Sequence, residues 1–451
     1  MLRPLAVPLL ALGPLACTPG AEASSATESS SATSSTTGDD TEGCTGGWAT
    51  GTVFVYGEGS IVDPQHPDTP LWTTPRQACE LATIVDFDLA ASGALYVLST
   101  AFLHQATCEG TCPWRYWVRR QGLAGQEVWA SPFDFPALEP RTLRALDDGG
   151  VVVGGAANVG QERLPWLSRL DAAGAPLWQK TFPDPGQINA IAQGPDGDVV
   201  AVGNLHEYPA DELWAVRLGS DGSQKWTFTL LDDRDDAAIS VAVDALGRAW
   251  IVGGRDPSSL WMDLNYYSPD YEYSWWNIFP ESFEIDVHVD TPLVALIDDE
   301  GGLLWLDEPA PPNEPWHSTT GLALDLLPGG DAIVGISWFD TAQKWIARYA
   351  DDGSRVWETA VTPAGEYPGD VDLRALACDA LGRTHILLRE GFSYHPDTHL
   401  IQLDDAGAEI SALSPATEGD QLALTPAGAP RVTRFRATDA WIDTWHYRSG
   451  R

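Results

Sequence analysis

The chain carries an internal repeat, and this repeat constrains the fold more than any other feature of the sequence. Each copy has a Trp, an Arg three residues later, a Gly eight residues after that Trp, and a second Trp twelve residues after it. The complete copies are Trp117, Arg120, Gly125 and Trp129; Trp166, Arg169, Gly174 and Trp178; Trp214, Arg217, Gly222 and Trp226; and Trp345, Arg348, Gly353 and Trp357. Partial copies begin at Leu293 and His399. A period of about 50 residues predicts one supersecondary unit per repeat.

Each copy has the composition of a hairpin. Residues 166–170 predict a half-buried strand, and residues 171–174 predict a turn in which Asp accepts backbone N–H groups and Gly adopts a positive φ. The closing Trp178 can bury its ring between neighbouring units. A second, more apolar hairpin separates the copies. Four strands per unit predict an all-β fold, a β-propeller of four-stranded antiparallel blades.

The second hairpins indicate the number of blades. Their turn glycines are Gly93, Gly150, Gly197, Gly247, Gly330, Gly382 and Gly428, which makes seven. Residues 440–447 predict a third strand that no fourth follows, and residues 52–56 offer the missing partner. We therefore predict a seven-bladed propeller closed by its N- and C-terminal strands, which leaves no exposed sheet edge. Eight blades, or a ring without closure, are alternatives that the pattern leaves open.

The first residues predict an export signal. Arg3 precedes an apolar run over residues 5–15 that is too short to span a bilayer as a helix. Residues 14–17, Pro-Leu-Ala-Cys, resemble a bacterial lipobox, in which cleavage occurs before a Cys that then carries lipid. The resemblance implies a lipoprotein signal peptide over residues 1–16 and lipid attachment at Cys17. The Ser/Thr-rich stretch that follows predicts a flexible tether, so residues 17–47 form anchor and tether and residues 48–451 form the propeller.

At the level of single blades, residues 50–448 resemble the quinoprotein-like (PQQ-like) propellers and those of outer-membrane assembly lipoproteins. The resemblance rests on the turn formed by Asp171, Gly174 and Trp178, which is one residue tighter here between Asp and Gly. It implies an exported lipoprotein of the bacterial outer membrane, facing the periplasm or the cell surface. Quinone-binding members of that group carry a vicinal Cys pair, which this sequence lacks, so no cofactor is expected.

The charge balance bears on possible partners. With 26 Lys and Arg against 64 Asp and Glu, the formal net charge is −38. Such a field repels phosphate backbones and anionic lipid surfaces, so nucleic acid is not an expected partner. We expect a monomer that meets the membrane only through its lipid anchor.

The cysteines predict disulfides rather than a metal site. Export favours a small-loop disulfide between Cys108 and Cys112 over zinc binding, and Cys44 and Cys79 are candidates for a second one. Cys378 is then left over, in a predicted strand.

Other candidate metal and anion sites are better explained by structure. His395, Asp397 and His399 alternate as metal ligands on a strand would, but His399 occupies the Trp position of the repeat, which favours packing. The repeated arginines occupy one strand position, so we expect each to pair with carboxylates or carbonyls of a neighbouring blade. No nucleophile elbow, zinc-protease or phosphate-loop motif occurs, and we expect no catalytic residue and no metal.

The predicted contact surface is the face formed by the loops between second and third strands and between blades. Its longest loop, the aromatic insertion over residues 256–291, carries flat rings beside carboxylates and amides, which suits sugar faces or an apolar patch of a partner. The candidate binding residues are Trp261, Tyr266, Tyr267, Tyr271, Tyr273, Trp275 and Trp276, with Tyr208, Trp338, Phe339, Phe392 and Tyr394 around the same mouth. The competing interpretation is an extra hairpin whose aromatic rings pack together and plug the channel.

The sequence thus predicts a non-catalytic binding or scaffolding module for a protein or carbohydrate ligand. The alternative is a polysaccharide hydrolase or lyase that uses Asp263, Glu272 or Asp340 at the channel mouth as acid and base.

Overall fold

The structure is a computed structural model, and its contacts divide the chain into Met1–Glu42 and Gly43–Arg451. All described residues belong to the second unit: 57–62, 72–73, 80–103, 114–122, 126–134, 137–206, 210–231, 234–255, 291–309, 319–338, 343–362, 371–390, 397–413 and 421–437. This part of the chain consists of strands and turns and contains no helix. Accordingly, no helix that could span a membrane occurs within these ranges.

The strands form consecutive antiparallel sheets, numbered here as blades in chain order. Blade 1 has β3 (Glu80–Leu89), β4 (Leu95–Leu103), β5 (Trp114–Gln121) and β6 (Glu127–Asp134), and blade 2 has β7 (Leu138–Ala145), β8 (Val151–Val159), β9 (Glu162–Leu170) and β10 (Pro176–Thr181). Blade 3 has β11 (Gly186–Gln193), β12 (Val199–His206), β13 (Asp211–Leu218) and β14 (Gln224–Thr229), and blade 4 has β15 (Asp236–Val243), β16 (Ala249–Arg255), β17 (Thr291–Ile297) and β18 (Leu303–Asp307). Blade 5 has β19 (Thr319–Leu326), β20 (Ala332–Trp338), β21 (Lys344–Tyr349) and β22 (Arg355–Val361), and blade 6 has β23 (Val371–Cys378), β24 (Thr384–Glu390), β25 (Asp397–Leu403) and β26 (Glu409–Leu413). The smaller blade 7 joins β27 (Leu422–Leu424) and β28 (Pro430–Ala437) to β1 (Gly57–Val62) and β2 (Trp72–Thr73). A parallel pairing of Glu58 in β1 with Ala82 in β3 connects blade 7 to blade 1, so these two blades form one eight-stranded sheet.

The two ends of the chain meet in blade 7. Strand β1 pairs antiparallel with β28, with Gly57 opposite Ala437 and Val62 opposite Val432. The first strand of each blade contacts the first strand of the next, and β27 contacts both β23 and β3, so the series returns to its start. The prediction of an all-β propeller closed by N- and C-terminal strands is therefore confirmed.

The strands that close the ring occupy positions other than those predicted. Residues 57–62 pair directly with the second strand of blade 7 and so take the third position, which the sequence pattern had assigned to residues 440–447. The reason is that β28 follows the turn at Gly428, and its free edge accepts the N-terminal strand. Residues 52–56 and 440–447 lie outside the described residues.

Burial follows position within a blade. The second strands of blades 4 and 5, β16 and β20, are buried at every residue, whereas the outer strand β26 is exposed at every residue. Inner sheets are covered on both faces by neighbouring blades, as Trp250 and Val252 of blade 4 pack with Val334 of blade 5. This explains why the second hairpin of each repeat is the more apolar one.

The turns between first and second strands follow one pattern. In six of the seven predicted turns the glycine named above has a φ of +74° to +92°. In blade 2, however, the left-handed residue is Gly149 (φ +81°) rather than Gly150, because the N–H of Gly149 closes the turn on Leu146. These turns share one face of the propeller with the turns between third and fourth strands, since the strands alternate in direction.

Candidate functional site

The repeated tryptophans dock on the turn of the following blade. Trp178 lies against Gly222, where a Cβ would be 2.9 Å from the indole Cγ, and its indole N–H donates to the carbonyl of Ser220 at 3.0 Å. The same ring-on-glycine contact joins Trp129 to Gly174, Trp226 to Gly301, Trp305 to Gly353 and Trp357 to Gly407. The predicted burial of this ring between neighbouring units is confirmed, and the repeat glycine is needed for both its φ and its lack of a side chain.

The repeated arginines also join blades. Arg217 is buried, binds the Asp198 carboxylate of its own blade, and donates to the carbonyl of Gly247 in the next blade at 2.6 Å. In the same way Arg120 donates to Ala172, Arg169 to Ser220 and Arg348 to Asp405, each in the next blade, at 2.8–3.1 Å. Carbonyls of the neighbouring blade are therefore the partners across the junction, and the paired carboxylates belong to the same blade. These arginines form no anion-binding ring.

Carboxylates join blades 1 and 2 at the central channel. Asp86 accepts the N–H of Phe87 at 2.8 Å and the N–H of Leu143 in blade 2 at 2.8 Å. Asp88 repeats the arrangement two residues on, accepting from Leu89 at 2.8 Å and from Ala145 at 3.0 Å. Each carboxylate thus satisfies backbone donors of two first strands, which have no further strand beyond them toward the channel.

A third carboxylate performs the same task across the channel. Asp325 of blade 5 accepts the N–H of Leu326 at 2.8 Å and that of Cys378 in blade 6 at 2.7 Å. Arg144 of blade 2 lies 3.5 Å from the Asp88 carboxylate, and its side chain is half exposed. The negative charge of Asp88, followed by that of Asp325, raises the pKa of Arg144. The Arg144 guanidinium is therefore within electrostatic reach of carboxylates from blades 1 and 5.

Asp86 has a higher pKa than an ordinary aspartate, and the main cause is its burial. Burial raises the pKa of Asp86 to about 7, against the opposing effect of the hydrogen bond from Leu143, and the charge of Asp88 raises it further. A carboxyl with this pKa can hold or release a proton near neutral pH. Both of its oxygens nevertheless accept backbone N–H groups, which gives the side chain a structural task as well.

A cavity of ≈ 420 Å³ opens at the turns between first and second strands, in the middle of that face. Its polar lining includes Asp88, Arg144, Asp147, Gln193 and Asp244, and the remainder is mainly Ala, Pro and Leu of five blades. The cavity is on the face opposite the predicted contact loops. Asp86, Asp88 and Asp325 could have been noticed in the sequence as charges inside apolar strands, but their convergence depends on blade order.

Most of the predicted binding residues lie outside the described residues. These are Trp261, Tyr266, Tyr267, Tyr271, Tyr273, Trp275, Trp276, Tyr208, Phe339, Phe392 and Tyr394, as well as Cys17, Cys44, Cys79, Cys108 and Cys112 and the carboxylates Asp263, Glu272 and Asp340. Trp338 is described, and it is a core side chain that is 2% exposed and packs against Trp345 with ring centroids 6.3 Å apart. It therefore presents no exposed ring to a ligand.

Two other predicted positions have structural surroundings. His399 is buried in the third strand of blade 6, in the position where other blades carry Trp. Cys378 ends β23 as a free thiol 3.9 Å from the Thr384 hydroxyl, and burial raises its pKa. Within the described ranges no group of three or more His, Cys, Asp or Glu side chains is arranged to hold a metal ion.

No protein-family model and no curated protein matches the chain. Among solved structures it is similar to the periplasmic gluconolactonase PpgL of Pseudomonas aeruginosa, with 14% identity over 82% of this chain and 92% of that one and a TM-score of 0.47. It is also similar to Chaetomium thermophilum Sqt1 bound to the N-terminus of the ribosomal protein L10, with 9% identity, coverage of 86% and 98%, and a TM-score of 0.45. A calcium-binding protein, regucalcin, from Agrobacterium tumefaciens has 11% identity, coverage of 62% and 75%, and a TM-score of 0.34. These likenesses concern the fold alone.

Proposed function

We propose that the chain is an exported, membrane-anchored, non-catalytic β-propeller lipoprotein that binds or scaffolds a protein or carbohydrate ligand. The N-terminal pattern ending at Cys17 and the Ser/Thr-rich stretch after it support export, anchoring and a tether. The proposed contact surface is the aromatic insertion, residues 256–291, which adds many flat rings to one loop of an otherwise regular repeat.

The observation that carries the proposal is how the insertion joins blade 4. Strand β16 ends at Arg255 and β17 begins at Thr291, and these two residues pair with each other across the sheet. Arg255 is buried and bound to Asp236 at 3.2 Å. The two strands that flank the insertion are therefore paired with each other up to their ends, and all four strands of blade 4 are formed by residues outside 256–290.

The described ionisable groups at the centre of the ring also favour binding over catalysis. Asp86, Asp88 and Asp325 each accept N–H groups from two first strands, so blade packing accounts for their presence. A catalytic pair of carboxylates needs free oxygen atoms that face a common substrate.

The proposal is tested with a deletion variant that lacks residues 258–289. The residues next to Arg255 and Thr291 are kept so that they form a short turn. Wild type and variant are compared on a glycan array and in pull-downs whose captured proteins are identified by mass spectrometry. We expect specific capture by the wild type to disappear in the deletion variant, while its thermal unfolding remains cooperative. Capture that survives the deletion unchanged would exclude the insertion as the contact surface.

The hydrolase alternative is addressed in the same samples. Any glycan captured on the array is incubated with the protein, and the release of reducing ends is measured. If Asp263→Asn or Glu272→Gln abolishes the release of reducing ends while glycan capture is retained, the chain is a hydrolase and not only a binding protein.

A further inference from the structure

The turns between first and second strands form a surface with a larger uncharged part and a smaller acidic part. The exposed tips of the first-to-second-strand turns in blades 4 to 7 carry no charge; we call these residues the aliphatic arc, namely Ala245, Leu246, Pro328, Gly329, Ala380, Leu381, Pro426 and Ala427. The side chains of Leu246 and Leu381 are 67% and 75% exposed. In blades 2 and 3 the same tips carry the acidic arc, Asp147, Asp148 and Asp196. The tip of blade 1, Ala91 and Ser92, is also exposed and uncharged, so uncharged tips border the acidic arc on both sides.

The exposed leucines are held in place by their turns. Leu246 belongs to the segment of residues 244–248 that recurs identically at residues 379–383, where Leu381 is its counterpart. In both copies the Asp accepts the N–H of the leucine at 2.9 Å and binds the Arg four residues later. A rigid turn that holds a leucine in water has no folding benefit from that side chain, whereas an interface would use it.

The charges of this face are unbalanced toward acid. Arg144, Arg248 and Arg383 are each ion-paired, to Asp88, Asp244 and Asp379 respectively. The described turns between third and fourth strands, at the outside of the same face, have no Lys or Arg and expose Asp221, Asp299, Glu300, Asp351, Asp352 and Asp405. Of the cavity and acidic-arc residues, Asp147 and Asp196 form no ion pair with any described cation.

We propose that this face binds a segment of a partner protein that carries aliphatic side chains on one side and Lys or Arg side chains on the other. The aliphatic side contacts Leu246 and Leu381, and the basic side meets the acidic arc and the outer acidic turns. A Lys or Arg side chain lies at the cavity rim beside Asp147, which lines the cavity and forms no ion pair with a described cation. The inference deepens the proposed binding function by naming a partner class, and it places that contact on the face opposite the insertion.

The test uses the full chain and a fluorescent synthetic peptide of alternating Lys and Leu residues. Two companion peptides replace Lys by Glu or Leu by Ser. Binding is followed by fluorescence anisotropy at several salt concentrations. We expect only the Lys/Leu peptide to bind, and its affinity to fall as salt rises, because exposed charges are screened. Equal binding of the Glu/Leu peptide would overturn the charge assignment.

Matched variants locate the site. Leu246→Ser combined with Leu381→Ser should weaken binding about tenfold, as expected for two interface leucines lost. Asp147→Asn combined with Asp196→Asn should weaken it about threefold and flatten its salt dependence. The controls are Val159→Ser, 54% exposed, and Glu162→Gln, which flank the turn between β8 and β9 on the opposite face and should change nothing.

The outcome separates this inference from the proposed function. The variant lacking residues 258–289 should bind the peptide like wild type. Peptide binding that is unaffected by the leucine and aspartate variants would overturn the inference, and so would peptide binding that is lost when residues 258–289 are deleted. The capture of glycans or proteins by the insertion is measured separately, in the array and pull-down experiments.

Discussion

The indole of Trp178 lies against Gly222 of the next blade, and its N–H donates to the carbonyl of Ser220 in the same turn at 3.0 Å. The Trp178 ring therefore packs against a position where only glycine leaves room for it. Its N–H also satisfies a backbone carbonyl of the turn that Gly222 forms. The same contact recurs from blade to blade. The regular spacing of Trp and Gly in the sequence therefore reflects contacts between successive repeats.

Replacement of Gly222 by Ala tests this contact. The control is Gly160→Ala, since Gly160 also has a positive φ but no neighbouring atom where a Cβ would lie. Gly222 has φ +81° and a Cβ there would lie 2.9 Å from Trp178, whereas Gly160 has φ +68° and nothing within 4 Å. We expect Gly160→Ala to cost about 1–2 kcal/mol for its left-handed backbone. Gly222→Ala should cost about 1–3 kcal/mol more because the ring must shift. Urea unfolding of both variants measures the difference, and equal losses would contradict the packing role.

The indole hydrogen bond can be isolated by Trp→Phe substitutions. Trp178→Phe removes the bond to Ser220, while Trp305, which rests on Gly353 in the same way, makes no indole hydrogen bond within the described residues. Trp305 also packs against the rings of Trp250 and Tyr349, so Trp305→Phe is a control for loss of an indole without a hydrogen bond and is not matched in packing. Trp178→Phe should lower the free energy of unfolding by about 1 kcal/mol for the lost hydrogen bond. An unfolding free energy equal to that of the wild type would be inconsistent with this account.

The repeat arginine should matter far more than an arginine whose partner carboxylate is exposed. Arg217 and Asp198 are 4% and 1% exposed, so Arg217→Met leaves a buried carboxylate with only the partly exposed Lys225 as a partner. We expect a loss of about 3–5 kcal/mol. The control is Arg119→Met, which breaks a pair with the 45% exposed Glu127 and should cost about 0–1 kcal/mol. Chemical denaturation of the two variants checks the ranking.

Asp86 should make stability fall as pH rises. Its folded-state pKa of about 7 lies above that of the unfolded chain, so between about pH 4 and pH 7 the unfolded state has lost the proton that the folded state retains. The stabilisation is complete below the lower pKa and is lost as pH rises through the higher one. Its size is on the order of 4 kcal/mol, since the two pKa values differ by about three units and each unit is worth about 1.4 kcal/mol.

Asp86→Asn removes the titrating group and should remove this part of the pH dependence. Unfolding free energies of wild type and variant at pH 4.5, 6 and 7.5 give the comparison, in which the variant's disadvantage should shrink as pH rises. Asp221→Asn is the control, because hydrogen bonds from Ser223 lower rather than raise the pKa of Asp221. A disadvantage of the Asp86→Asn variant that stays the same from pH 4.5 to pH 7.5 would show that Asp86 is ionised in the folded protein throughout this range.

Cys378 should resist alkylation in the folded protein. Burial raises the pKa of its thiol, and the reactive species is the thiolate. Iodoacetamide at pH 8 followed by peptide mass spectrometry should find Cys378 unmodified under native conditions and modified in urea. Rapid native modification would indicate that the end of β23 opens readily.

Local patterns were sufficient to predict the blades. Three patterns reflect contacts within one repeat or with the next: the Asp-Gly-Trp spacing, the apolar second hairpins and the position of the arginine. Because the repeat has a constant length, such contacts recur at fixed separations in the sequence. The same reasoning misplaced the closing strands, because residues 57–62 and 430–437 are far apart in sequence and no periodic signal relates them. It also could not tell Gly149 from Gly150, since either satisfies the composition of the turn.

The repeat spacing was enough to establish repeated four-stranded sheets joined by Trp and Arg side chains, because these are near-neighbour interactions with a constant period. The three-dimensional structure was needed to show that Arg144 of blade 2 lies near Asp325 of blade 5 and that Leu246 and Leu381 share a face with the acidic arc. Those relationships depend on the closure of the ring, which brings residues from non-adjacent blades together at the channel, and a periodic sequence contains no measure of that distance.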